Sequence, residues 1–504
     1  MMTILLLGYL YLPVMIFLAG WVKTWIAVPI ILILLCLLFK MYRAYASENI
    51  AGGEKKSETY AGKVSVPPFI LISLFLAGFC IILGFDGTFL QAGDWYKHNA
   101  VLRDLMTKEW PVYYTQKEHT MLVYYIGQYL FPALIGKIAG SFRIAQIAMA
   151  LWGIIGVLLT YWNLIRILHA DTLKKQVKTL LVFLFFCGAL PLAQIAVSKI
   201  YPSEAGEIGN YHWLLVSGFM MQYRSSTVML RWVFPQCIVP WICAELFLEH
   251  KEKMEYYVLL LLPTLLFGSF SFIGFVFMAI ITLGYQLIRK KRVKRIVRQC
   301  FSLTNIIPLI TLGSVFFFYF WGNISTQKPE YLGFQMQHFG MKYLSVYLIF
   351  CFFMFGIYAL CVWKENRKNP VFLSAVLLLA LIPFFKMGLY NDFVMCVSIP
   401  ALFLLEIFVT DFLMKHTKDG NEGIRKGILI LCLCIGAWYP LCETAENISA
   451  KQPGNMSADG YSTLTYFADR DNPDISDDLK YNYYAYDLEQ NFFYKNLARK
   501  KITE

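Results

Sequence analysis

"MLVYYIGQYLFPALIGKIAG", residues 121 to 140, is followed at once by "FRIAQIAMALWGIIGVLLTYWNLIRIL", residues 142 to 168. The second run is long enough to cross a bilayer, which takes roughly 20 apolar residues in a helix. Whether the first also crosses decides the threading of everything after it. If it does, the basic loop "RILHADTLKKQVK", Arg166 to Lys178, emerges on the side away from the other basic loops. Lys and Arg are retained on the cytoplasmic side, so that arrangement is disfavoured. Gln128, Pro132 and Lys137 suit a helix that lies along the surface or dips into it. The first run is therefore read as juxtamembrane and the second as a span.

Comparable apolar runs recur from end to end. The chain has 504 residues, 58% of them hydrophobic and 15% charged. That balance excludes an ordinary soluble domain, and the long apolar runs are not the short alternating strands of a barrel. The expected fold is all-α, a polytopic transmembrane bundle of about 11–13 helices with outer juxtamembrane helices. The formal charge of +12 is concentrated in short loops, most densely in "IRKKRVKRIVR" from Ile288 to Arg298. Such placement is an orientation signal rather than a nucleic-acid surface, so the expected partner is the lipid bilayer and no nucleic acid. The twelve cysteines show neither metal-ligand spacing nor a disulfide framework. "MMTILLLGYLYLPVMIFLAG" lacks a basic leader and a small-residue cleavage site, so it reads as a helix rather than a signal peptide.

The threading then follows. Residues 1–66 form a transmembrane hairpin and a cytoplasmic loop carrying Lys40, Arg43, Lys55, Lys56 and Lys63. Residues 67–442 form the main transmembrane domain, in which 67–84 runs outward, 179–198 outward and 233–248 back. Residues 256–288 leave and re-enter on one side as two short or partial helices broken at "GSFS", Gly268 to Ser271. Spans at 302–321, 343–363, 370–387, 393–412 and 426–442 then alternate. The N-terminus is expected in the cytoplasm and the tail, 443–504, outside the cell membrane.

On this threading an unusual set of charges collects on the outer face. "GDWYKHNAVLRDL", from Gly93, brings Asp94, Lys97, His98 and Arg103, with Asp86 just before it. A second loop holds Glu204, Glu207, His212, Arg224 and Arg231, and a short turn holds Asn391 and Asp392. Asp94 and His98 are one helical turn apart, and Val101, Leu102 and Leu105 continue an apolar face, as in a surface-lying amphipathic helix. A solvated interfacial loop would also account for the composition.

The chemical reading is transfer from a lipid-phosphate donor. A carboxylate can accept the proton of an attacking hydroxyl. Asp94 is the candidate base, with Asp86 as the fallback acid. Cations hold a phosphate leaving group through charge-assisted hydrogen bonds, and Lys97, His98, Arg224 and Arg231 are the candidates. Asn391 and Asp392 read either as a tight turn or as groups ordering acceptor, metal or arginine. Glu406 is a mid-helix acid, the kind of residue that is costly unless functional or hydrogen-bonded; it reads as structural. Asn-x-Ser triplets at Asn323, Asn447 and Asn455 read as chance occurrences.

An outward helix, a loop with Asp94, the aromatic "WPVYY" at Trp110 to Tyr114, a juxtamembrane helix at 121–140 and a span at 142–168 together resemble the GT-C superfamily of polyprenyl-phosphate-dependent glycosyltransferases. "QYRSSTVMLRWVFPQCIVPWI", 222 to 242, and "NDFVMCVSIPALFLL", 391 to 405, are similar to an uncharacterised bacterial branch of it. The resemblance runs from about residue 67 to 442. It implies an outward active site with Asp94 as its acidic residue, an isoprenoid-phosphate-linked sugar donor and inversion at the anomeric carbon. It further implies an envelope glycan, polymer or protein as acceptor, and in some members a divalent metal, Mg or Mn. Cys396 stands where that branch would carry Arg, which puts a phosphate role there in doubt. A transporter or lipid flippase, or a non-catalytic envelope scaffold, remains an alternative reading, and fold alone would not license the function.

Overall fold

A computed structural model describes residues 2–51, 66–91, 93–115, 119–202, 212–216, 219–290, 293–326, 335–336, 340–387, 391–417, 419–450, 463–469 and 471–502. Among the described residues ten helices are long and apolar enough to cross a membrane, and three more apolar helices are shorter. The chain is an all-α polytopic membrane protein.

Helices α1 (Met2–Trp21), α2 (Thr24–Ala51) and α3 (Val66–Ile82) lead to α4 (Trp95–Thr107) and to two short strands, β1 (Tyr113–Tyr114) and β2 (Thr120–Leu122). Helix α5 (Gly127–Ala139) has 13 residues, about 20 Å at 1.5 Å per residue, against a hydrocarbon core of about 30 Å. It is too short to cross, as the spacing of its polar residues predicts. Gly140 ends it in the left-handed region, at φ 63°. Ser141 then caps α6 (Phe142–Ile167) by accepting from the Ile144 N–H. The two helices pack as a tight hairpin because Gly136 has no side chain; a methyl there would overlap Ala145.

Helices α7 (Leu173–Phe185) and α8 (Leu190–Ile200) together make one span, and the hairpin β3 (Leu214–Val216) and β4 (Phe219–Met221) precedes α9 (Ser226–Glu249). Next come α10 (Tyr257–Leu261), α11 (Thr264–Phe267) and α12 (Ser269–Lys290). The chain does break at Gly268, whose backbone is extended. The expectation of two short helices is half corrected, because α12 runs for 22 residues. Its apolar sequence supplies enough length to span alone, and only the α10–α11 side is short. The remaining helices are α13 (Val293–Cys300), α14 (Leu303–Pro308), α15 (Ser314–Ile324), α16 (Met341–Cys351), α17 (Ile357–Asn366), α18 (Pro370–Leu381), α19 (Asp392–Met414), α20 (Gly420–Gly436), α21 (Trp438–Ser449) and, in the tail, α22 (Asp477–Asn482). Helices α9 and α19 form the buried centre of the bundle: 94% and 100% of their apolar windows are buried, against 22% for α2 at the rim.

The polar loops separate into two ends. At the basic end Arg166 pairs with Glu249 at 2.6 Å and Arg425 with Glu365 at 2.9 Å. There too Tyr285 donates to the Lys368 carbonyl, and Gln286 to that of Lys251. The opposite end holds α4, the strands and the C-terminal tail. Strand β5 (Tyr484–Ala485) pairs antiparallel with β2. Buried Asp104 of α4 accepts from Tyr114 Oη, Thr463 Oγ1 and the Leu464 N–H. The tail's last residues clasp α1: Arg499 N–H donates to the Trp21 carbonyl, Lys23 N–H to that of Leu497, and Arg499 Nη1 to that of Ala19.

Candidate functional site

The site is assembled by a kink. Pro235 lies inside α9 and has no N–H to give the carbonyl one turn before it. The helix departs from helical geometry at Val233. The carbonyls of Arg231 and Trp232 then need other donors. Both come from α4: Trp95 Nε1 donates to the Arg231 carbonyl at 2.9 Å, and His98 Nε2 contacts the Trp232 carbonyl at 3.0 Å. These bonds set α4 against α9 and bring Asp94, the residue at the start of α4, beside the loop that leads into α9.

They also settle the part played by His98. A carbonyl only accepts, so Nε2 carries the proton and Nδ1 accepts from Tyr129 Oη at 2.6 Å. Burial lowers the imidazole's pKa, with Asp94 pulling the other way. His98 is thus a buried neutral tie between helices, correcting the expectation that it meets phosphate.

Arg231 is likewise committed. It is 5% exposed and lies 3.1 Å from Glu443 and 3.6 Å from Glu446. Glu443, itself wholly buried, also receives Trp232 Nε1 at 3.4 Å and lies 3.3 Å from His212 Nε2. With its guanidinium locked to α21, Arg231 is a structural ion pair rather than the expected phosphate contact. Burial, reinforced by Arg224 and Arg231, pushes His212 down to about 3, so at neutral pH it meets Glu443 as a neutral ring.

Arg224 differs. Its Nε and Nη2 both donate to Gln222 Oε1, at 3.0 and 2.7 Å. Gln222 Nε2 in turn donates to the Asn391 carbonyl, and Asn391 Nδ2 to that of Met220 at 2.9 Å. Asn391 is buried with φ 53°, a left-handed turn that Asn tolerates. Its role is to hold the β3–β4 hairpin and Arg224's clamp. Asp392, Glu443 and Asp94 are within electrostatic reach of Arg224. Among the described residues no carboxylate contacts Arg224 at ion-pair distance; its hydrogen-bond partner is an amide. Burial lowers its pKa against the pull of those acids, yet a guanidinium stays charged at neutral pH.

Asp94 keeps 39% of its side chain exposed and lies 3.4 Å from Lys97. The structure therefore brings Asp94, Lys97, Arg224, Asn391 and Asp392 to one place. Asp86 is elsewhere, its carboxylate turned back on Thr88 and its carbonyl held by Arg143. Cys396 is buried, with its thiol toward Gln236 Oε1 at 3.3 Å. Asn323 and Asn447 spend their amides on buried carbonyls; Glu204, Glu207 and Asn455 lie outside the described residues. All twelve cysteines are free thiols. Among the described residues no three His, Cys, Asp or Glu side chains converge as a metal set requires. Asp94, Asp392 and Glu443 are within electrostatic reach of Arg224 but do not converge on one point, so the described residues offer no donor set for Mg or Mn.

Glu443, Gln222 and the Tyr124–Tyr125 pair, with Tyr125 Oη accepting from Gln236 at 2.6 Å, were not marked by sequence reasoning. Glu443 carried a usable signal, an acid within an apolar helix. It escaped because the span was ended at 442, whereas α21 continues to Ser449.

Two histidines give a pH prediction. Burial pushes both His212 and His250 down to about 3, against about 6.5 when unfolded. Above that value neither state binds a proton. Below it the unfolded chain takes up protons that the folded chain refuses, so stability falls with acidification. The thermal midpoint of the detergent-solubilised protein should be level from pH 8 to about 6.5 and decline below it. His212→Gln should flatten part of that decline; an unchanged slope would mean that His212 is not held neutral.

No family model, no curated protein and no solved structure matches this chain.

Proposed function

We propose that the chain is a membrane-embedded glycosyltransferase of GT-C type, moving a sugar from a polyprenyl-phosphate donor to an envelope acceptor. The observation that carries this reading is Arg224, a half-buried cation clamped by an amide, with the accessible carboxylate of Asp94 close by. A fixed cation lacking a contact counter-ion is a site for an anion, and a guanidinium suits phosphate. The basic loops gathered at one end would lie in the cytoplasm, which puts the Asp94 end, and the tail, outside the cell membrane.

In the inverting step the acceptor hydroxyl gives its proton to Asp94 as its oxygen bonds to the anomeric carbon. The sugar–phosphate bond breaks on the opposite face, and the polyprenyl phosphate leaves with the electron pair. Its charge falls to Arg224, with Lys97 at the rim; Asp392 orients the guanidinium. Preorganised charge aimed at a leaving group is among the largest catalytic effects available to a protein.

The test is transfer of radiolabelled sugar from a panel of polyprenyl-phosphate sugars, in membranes holding wild type or Arg224→Gln at equal level. Wild type should transfer from at least one donor, and the variant should be about 10²-fold slower or worse. Equal rates would remove Arg224 from the site. No transfer by wild type, in membranes where a known enzyme works, would move the reading to transport or scaffolding.

A further inference from the structure

The proposed transfer leaves two buried acids unused. Glu406 of α19 and Glu245 of α9 are 1% and 0% exposed. They lie within electrostatic reach of each other in the centre of the bundle. Each has some hydrogen bonding: Ser226 Oγ reaches Glu406 Oε2 at 3.4 Å, and Asn163 Nδ2 donates to Glu245 Oε2 at 2.8 Å. Among the described residues each also has an Oε1 that is buried without a partner. Most buried side-chain oxygens have a partner, so an unsatisfied pair at the centre of the bundle calls for an explanation.

A third acid lies within electrostatic reach of Glu245, as Glu245 does of Glu406. Glu249 lies one turn from Glu245 on α9 and reaches the basic end, where it meets Arg166 at 2.6 Å. Asn163 links Glu245 to that same Arg166, which donates to its Oδ1. Glu406 in turn lines a small cavity with Ser226, Arg224, Trp241 and Phe403. Its volume of about 10 Å³ is close to the least that a single water needs. Arg224 and Glu406 thus line the same cavity.

We infer that Glu249, Glu245 and Glu406 form a proton relay from the basic end to the cavity, closed there by the charge of Arg224. A hydronium at the basic end gives its proton to Glu249; an O–H bond breaks on water and another forms on the carboxylate. Glu249 passes a proton to Glu245, and Glu245 to Glu406, each acid returning to carboxylate as the next is protonated. Glu406 then protonates the cavity water. No electrons are exchanged, and the net event is movement of one positive charge along the relay. Onward passage requires a hydronium beside a guanidinium, and a fixed cation in a narrow polar path is a barrier to protons.

The experiment uses the full chain in phosphatidylcholine vesicles with a trapped pH dye. A potassium gradient and valinomycin supply the driving potential, and potassium movement balances the charge. Wild type should acidify the lumen slowly, and Arg224→Gln at least about tenfold faster, because the opposing charge is gone. Glu406→Gln or Glu245→Gln, added to Arg224→Gln, should return the rate to that of wild type, while Glu406→Asp, which keeps a carboxyl, should preserve the flux. An Arg224→Gln rate no faster than wild type would overturn the relay. So would a fast rate that survives either glutamine substitution, which is also what a merely leaky, misfolded protein would give. Sugar transfer plays no part in this readout, so it stands or falls apart from the glycosyltransferase proposal.

Discussion

Asp94→Asn should lower the turnover of sugar transfer by about 10²- to 10⁴-fold, the usual contribution of a positioned general base. The substitution keeps the size of the side chain and its place at the start of α4, so the contacts that seat α4, Trp95 to Arg231 and His98 to Trp232, are untouched. What disappears is the capacity to accept the acceptor's proton. On the proposed mechanism donor binding rests on Arg224 and should change little, so the loss belongs in kcat and not in KM for the donor. Asp94→Glu should recover part of the rate, limited by the altered reach. Asp392→Asn is the control: the side chain starts α19 near Arg224, and its loss should weaken donor binding more than turnover. A variant Asp94→Asn that keeps the wild-type turnover would assign the base to another residue.

Glu443→Ala should be the most destabilising single change at this end of the molecule, by about 3–5 kcal/mol, because it strands a buried charge. Arg231 is 5% exposed and would lose its 3.1 Å partner, leaving Glu446 at 3.6 Å. Trp232 Nε1 would lose its acceptor at the same stroke. Replacing both members, as Arg231→Met with Glu443→Leu, should restore much of the loss, since apolar side chains fill the space without an unpaired charge. Protease susceptibility of the solubilised protein, followed against temperature, reads the order of the three proteins. A single variant as stable as the double would show that Arg231 finds water or another acid instead.

Much of the architecture was legible because the signals are local. A run of apolar residues near 20 in length announces a span without reference to the rest of the chain. The polar spacing of Gln128, Pro132 and Lys137 distinguishes α5 from its neighbour α6. Asp94, Lys97 and Arg224 could be picked out as charges set apart from the basic loops at the other end. Which charges were already spent could not, because their partners are remote in sequence. His98 is taken by residues 134 and 31 positions away. Pro235 predicts a kink, but nothing near it says that Trp95 and His98 will supply the missing donors. Glu406 is legible as an anomaly, while its pairing with Glu245 depends on the packing of α9 against α19.

The clasp between the tail and α1 bears on how the protein is made. Arg499 and Ala19 are 480 residues apart, so this contact has about the highest sequence separation the chain allows. Contacts of that kind close last in folding, and during synthesis α1 emerges long before its partner exists. The helices can insert in order while the Asp94 end waits, lacking strand β5 and the Thr463–Leu464 cover over Asp104, until residues 463–499 have been made. Residues 463–499 thus complete that end of the bundle, and a chain cut short before them would sit in the membrane with the end still open.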